Sequence, residues 1–144
     1  MAGIVQPQPF KTLAPAMHSG SALNAAISNG LLNYQDAITA LAGGGAAGAP
    51  TLALGVNRLT VVATAADSVM LPPSGTSSGG SVVIVNQGVA STQVFANTVS
   101  SLATGVLDTI NGTAGATGVA VANGKTAIFW TTAAGAWFGP VALA

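Results

Sequence analysis

Between Arg58 and Gly139 the apolar residues fall in short runs separated by Gly, Pro, Asn and Ser. The runs are Arg58–Thr64, Ser68–Leu71, Ser81–Asn86, Thr92–Ala96, Val106–Ile110, Gly118–Ala122, Lys125–Thr131 and Ala136–Gly139. Segments of this length, rich in Val, Ile, Thr and aromatics and bounded by turn formers, predict β-strands. About eight short strands without a helical period predict an all-β sandwich or barrel-like domain over residues 51–144. Asn111-Gly112 and Asn123-Gly124 are two-residue turn signals, because a hairpin turn of that length holds both central residues at positive φ. The second lies between VAVA and KTAIFW, and it predicts a hairpin.

Upstream the pattern changes. Residues 20–42 carry Leu23, Ile27, Leu31, Tyr34, Ile38 and Leu41 at alternating steps of four and three, with Ser21 placed as an N-cap. That spacing predicts a helix, with Ile27, Leu31, Tyr34, Ile38 and Leu41 forming a heptad seam suited to self-association. An amphipathic helix packed on the chain's own sheet satisfies the same spacing. Residues 1–19 contain Pro7, Pro9 and Pro15. Each proline restricts itself and the residue before it, so this segment predicts an extended arm. Ile4, Val5, Phe10 and Leu13 supply the arm with apolar anchors for a partner surface; a solvated tail is the alternative. Residues 43–50, GGGAAGAP, predict a flexible linker.

Charge alters the functional picture more than the fold. Three basic and three acidic side chains, Lys11, Arg58 and Lys125 against Asp36, Asp67 and Asp108, make up 4% of 144 residues. A typical domain carries about 25%. Without clustered cations, a nucleic-acid surface and a basic membrane-surface helix are both excluded. The 50% hydrophobic content excludes intrinsic disorder of the whole chain. Net charge near zero favours association, which suits a protein held in an assembly. The first ten residues, MAGIVQPQPF, lack the basic start and apolar core of a secretory signal, so none is expected. The uncharged stretch from Ala37 to Asn57 is too rich in glycine for a membrane span.

Chemistry-bearing residues are scarce. There is no cysteine and one histidine, His18, so neither a thiolate nor a metal cluster is expected. Gly75-Thr76-Ser77-Ser78-Gly79 fits the nucleophile elbow of α/β-hydrolases, but it follows two prolines and leads into a strand rather than a helix. Gly43-x-Gly45-x-x-Gly48 fits a dinucleotide fingerprint that should follow a strand, not a helix. Gly124-Lys125-Thr126 lacks the upstream glycine of a phosphate-binding loop, since position 119 is Val119. No catalytic, cofactor-binding or metal residue is assigned. Alternation places Phe129 and Trp130 on opposite faces of one strand. Trp130 and Trp137 are therefore either core residues or an exposed aromatic contact.

The β-region also shows an order of signals: Asp67-Ser68-Val69-Met70-Leu71-Pro72, a glycine loop, SVVIVNQG over 81–88, Val94-Phe95, Ile110-Asn111-Gly112, GKTAIF over 124–129 and Gly135-Ala136-Trp137. Over residues 58–139 this resembles small β-domains of tailed-bacteriophage virion proteins, the capsid decoration proteins and head fibres. The resemblance implies a non-enzymatic component on the capsid exterior, made in the host cytoplasm, without cofactor. Its implied partners are a major capsid or other shell protein and its own copies, as a homotrimer. It transfers no site residue. A second expectation, from a different class, is a tail-fibre or receptor-binding module that stacks a host glycan on an exposed tryptophan.

Overall fold

A computed structural model describes residues 33–77, 79–98, 107–114, 117–133 and 135–143. The chain from Asn33 onward forms one compact unit. Among the described residues ten strands run in order: β1 Tyr34–Thr39, β2 Gly55–Val61, β3 Ser68–Met70, β4 Ser81–Asn86, β5 Thr92–Phe95, β6 Thr109–Ile110, β7 Thr113–Ala114, β8 Val119–Val121, β9 Thr126–Ala133 and β10 Ala136–Leu143. They form a seven-stranded sheet, β1-β2-β4-β9-β10-β6-β7, and a three-stranded sheet, β3-β5-β8.

The first half winds rather than folds back. Strands β1, β2 and β4 are parallel neighbours in the large sheet, and β3 and β5 are parallel neighbours in the small one. Parallel neighbours need a crossover of a dozen or more residues, usually a helix. Here β3 fills the crossover from β2 to β4 and β4 that from β3 to β5, while residues 40–54 between β1 and β2 touch β3 through isolated bridges at Leu41 and Thr51, so β2–β3 and β4–β5 are successive coils of a solenoid-like stack. Tyr34 lies beside Val56, Val56 beside Val83, and Val69 beside Val94. Strands β8 and β9 then return antiparallel to β5 and β4. The result is mainly β, as expected, but mixed and solenoid-like instead of a sandwich or barrel. Strand patterns mark where strands lie, not which neighbour each one finds.

Residues 34–39 are strand, not helix. A register shift around Ala37, at φ 55°, breaks the alternation of this strand, so Ile38 lies beside Leu59 and packs against the core while Tyr34, four residues earlier, is exposed. A parallel partner in β2 satisfies the backbone that a helix would have satisfied internally, so tertiary pairing overrides the heptad spacing. Residues 43–50 are likewise not a free linker. Leu41 and Ser68 exchange backbone hydrogen bonds, the Ser68 hydroxyl donates to the Gly45 carbonyl at 2.7 Å, and Met70 N–H donates to the Pro50 carbonyl. Ala49 and Leu52 are buried there.

The core fills the space between the sheets with Leu59, Val69, Leu71, Val82, Ile84, Val94, Phe129 and Trp137. Where the chain passes between sheets, buried side-chain amides take over from the ladders. The Asn86 amide donates to the carbonyls of Ala90 (2.9 Å) and Val121 (3.0 Å), and its oxygen accepts from Gly88 N–H (3.0 Å). Asn57 does the same for Ala53, donating at 2.9 Å and accepting at 3.1 Å. Gly88 must be glycine, since a Cβ there would run into the Val62 backbone and side chain.

The two Asn-Gly turns diverge. Asn111 and Gly112 have φ of 53° and 79°, and they join β6 to β7 as a two-residue hairpin. At Asn123-Gly124 only the glycine is positive, at 69°. Such φ signs belong to a type II turn, which does not match hairpin twist, and the expected hairpin does not form. β8 stays in the small sheet while β9 crosses to the large one. This difference sets a test. Asn111→Ala puts a Cβ residue at positive φ and removes the amide that bonds both backbone groups of Gly139, so it costs about 2 kcal/mol. Asn123→Ala falls within about 0.5 kcal/mol of the parent. Equal losses in urea unfolding would refute the assignment of the two turns.

Candidate functional site

The buried polar side chains are candidate chemistry, and each has a structural partner. The Asp67 carboxylate sits at the corner between β2 and β3, where Ala63 N–H (2.7 Å), Thr64 N–H (3.1 Å) and the Thr64 hydroxyl (2.6 Å) donate to it. A longer bond from Gly43 N–H, 3.4 Å, ties in the loop after β1. Asp108 accepts from the Ser74 N–H (2.7 Å) and hydroxyl (2.9 Å). Ser74 in turn accepts from Gly135 N–H. Ser77, the serine of the elbow-like motif, is buried and donates to the Pro73 carbonyl at 2.8 Å. These hydroxyls and carboxylates bind backbone and one another, and no histidine faces them among the described residues. Nor do the described residues bring three or more His, Cys, Asp or Glu together as a metal site. No described helix is long and apolar enough to cross a membrane.

The other candidate is the outward face of the large sheet. Strand pairing lays Tyr34, Val56, Val83, Ile128 and Val141 in one row across β1, β2, β4, β9 and β10. A second row, Ser81, Trp130 and Phe138, lies beside it, and a third holds Arg58, Val85 and Thr126. Tyr34 is 55% exposed, Val141 48%, Phe138 38%, and Val56 and Trp130 37%. Apolar patches of this kind on a protein surface are often functional, which makes the face a candidate interaction surface. Its charge is confined to one pair: Arg58 Nε and Nη2 donate to Asp36 at 2.6 and 2.8 Å. The guanidinium, helped by Ala37 N–H, holds the Asp36 carboxyl below its ordinary range.

Of the residues expected to act, Trp130 is on this face and Tyr34 at its edge. Trp137 is buried, its indole N–H donating to the Pro72 carbonyl at 3.2 Å, so it is not an exposed contact. Phe129, on the opposite face from Trp130 as alternation requires, is fully buried. Ile38 and Leu41 are half-buried in the β-unit and share no helical seam with Tyr34. Ile4, Val5, Phe10, Leu13, Ile27 and Leu31 lie outside the described residues. Sequence patterning missed Val56, Val83, Ile128, Phe138 and Val141. Val82–Val85 is apolar on both parities, so alternation there does not say which side faces out.

Comparison with protein families, with curated proteins and with solved structures gives no match.

The Asp67 corner makes a pH prediction. Donation from the Thr64 hydroxyl, then from the Ala63 and Thr64 N–H groups, lowers its pKa in the folded state. The unfolded chain therefore binds this proton more readily, and stability falls as pH drops. The contribution is complete above the ordinary carboxylate value of about 4 and disappears as pH falls through the lower folded value. Melting temperature should decline between about pH 5 and pH 2, and Asp67→Asn should flatten that decline while lowering stability at pH 7. An Asp67→Asn variant with the parent's full acid sensitivity would show that the corner does not couple to pH.

Proposed function

We propose that this protein is a non-enzymatic structural component of a virion, a decoration or head-fibre protein held on the outside of a phage capsid. One observation carries the reading: a domain with almost no surface charge turns a wide apolar and aromatic sheet face to solvent. Among the described residues the exposed charges are Lys125 and the Asp36–Arg58 pair, since Asp67 and Asp108 are buried. Such a surface is poorly suited to a free monomer and well suited to one that is permanently assembled. The order of β-region signals shared with phage β-domains supports the same reading. Attachment to the shell then relies on apolar burial and neutral hydrogen bonds, with Ile4, Val5, Phe10 and Leu13 of the N-terminal arm as its anchors.

Salt and truncation test this together. Ion-pair attachment weakens as salt shortens the Debye length to about 3 Å at 1 M. Apolar attachment does not, and it strengthens in sulfate. Particles should keep the protein through a wash in about 1 M NaCl, and deletion of residues 2–16 should remove it while the β-unit stays folded. Release by NaCl alone, or full occupancy by the truncated chain, would count against this mode of attachment.

A second reading has its own observation, the exposed Trp130 beside Phe138. An aromatic platform of this kind stacks on a sugar ring, which fits a receptor-binding module. On a glycan array that module would give a signal abolished by Trp130→Ala, whereas the structural reading expects none.

A further inference from the structure

Resting on the structural reading, the geometry points to an occupant for the exposed sheet face: the same face of a second copy of this chain, packed sheet against sheet. Two observations select it. The face has net charge zero, its one cation and one anion being the paired Arg58 and Asp36, so a copy meets it without like-charge repulsion. It therefore offers no field to attract an acidic or basic partner, and what it wants is another flat apolar surface. Its composition is that of an interface, with Val83 and Ile128 half-buried at the centre, aromatic anchors at Trp130 and Phe138, and polar Ser81 and Thr126 toward the rim.

The edges of the sheet do not compete for this role. β1 is interrupted by register shifts around Ala37, which sits at φ 55°, and it carries the charged Asp36. β7 at the other edge is two residues long. A bulged, charged edge and a very short one both resist strand addition, so self-association falls to the face.

Area sets the strength. One row of five strands and two rows of three, with strands about 4.8 Å and rows about 6.7 Å apart, give a face of about 350 Å². Stable pairs bury about 800 Å² per partner. The contact is therefore weak in dilute solution and is reinforced where a lattice holds copies side by side.

Light scattering on the full chain, from about 10 μM to about 1 mM, should show the mass rising from one chain to two. Trp130→Glu should hold it at one chain throughout, and Val89→Asp, at an 82% exposed site off this face, should leave the rise unchanged. Because Trp130→Glu risks misfolding, a charge series provides a second readout. Arg58→Glu gives each face two like charges and should weaken association about tenfold or more. Adding Asp36→Lys restores neutrality and should restore the dimer. A parent that stays monomeric, a three-chain mass, or a dimer indifferent to both Trp130→Glu and Arg58→Glu would overturn the proposal. Unchanged solution mass with lost particle occupancy in Trp130→Glu would assign the face to the shell, overturning self-pairing but leaving the structural role intact. Lost self-pairing with normal occupancy would separate the two in the other direction, and it is the result expected if the arm alone attaches.

Discussion

The fold depends on what happens at its corners. A chain that alternates between two stacked sheets must leave one ladder and enter another every few residues, and each departure strands buried N–H and C=O groups. In this protein Asn57, Asn86 and Asp67 receive them, each through several hydrogen bonds to backbone a few residues away. Their burial would be costly if unpaired and is stabilising only because the set is complete. No buried side-chain polar atom among the described residues lacks a partner. The same requirement explains why Asn57, Asn86 and Asp67 are buried beside the apolar core.

Once the corners are held, the sheets can stack in parallel coils with little charge anywhere. The chain spends its scarce carboxylates inside, Asp67 at a corner and Asp108 against the Ser74 turn, and leaves the outside almost neutral. Solubility then has little support from net charge. The exposed rows on the large sheet make the consequence concrete: the side that faces away from the core is also apolar. A protein built this way is suited to being one layer of something larger.

Much of the architecture was legible along the chain. Ser81–Asn86 is a strand over the very residues that its apolar run delimits, and Ser68–Met70, Thr92–Phe95 and Val119–Val121 lie within one residue or two of their runs. The Asn111-Gly112 turn and the placement of Phe129 and Trp130 on opposite faces of β9 follow from turn chemistry and strand parity. These are local properties, set by which φ values a residue tolerates and by the two-residue period of a strand, and the amino-acid sequence by itself determined them. It determined the neutrality of the surface as well, because six charges cannot cover 144 residues.

Pairing was decided only by the tertiary structure. Tyr34, Ile38 and Leu41 have helical spacing, yet the free edge of β2 gives this segment a partner, and a strand results. Gly43–Pro50 has the composition of a linker, yet Asp67 and Ser68 bind it down. Asn123-Gly124 has the sequence of a hairpin turn, but Lys125 enters the ladder opposite Asn86 rather than opposite its own preceding strand. In each case the competing partner lies 20 or more residues away in the chain, beyond the reach of any local pattern. The exposed face was hidden for a related reason. Strand segments apolar on both parities carry two equivalent surfaces, and only the position of the second sheet selects the one that is buried.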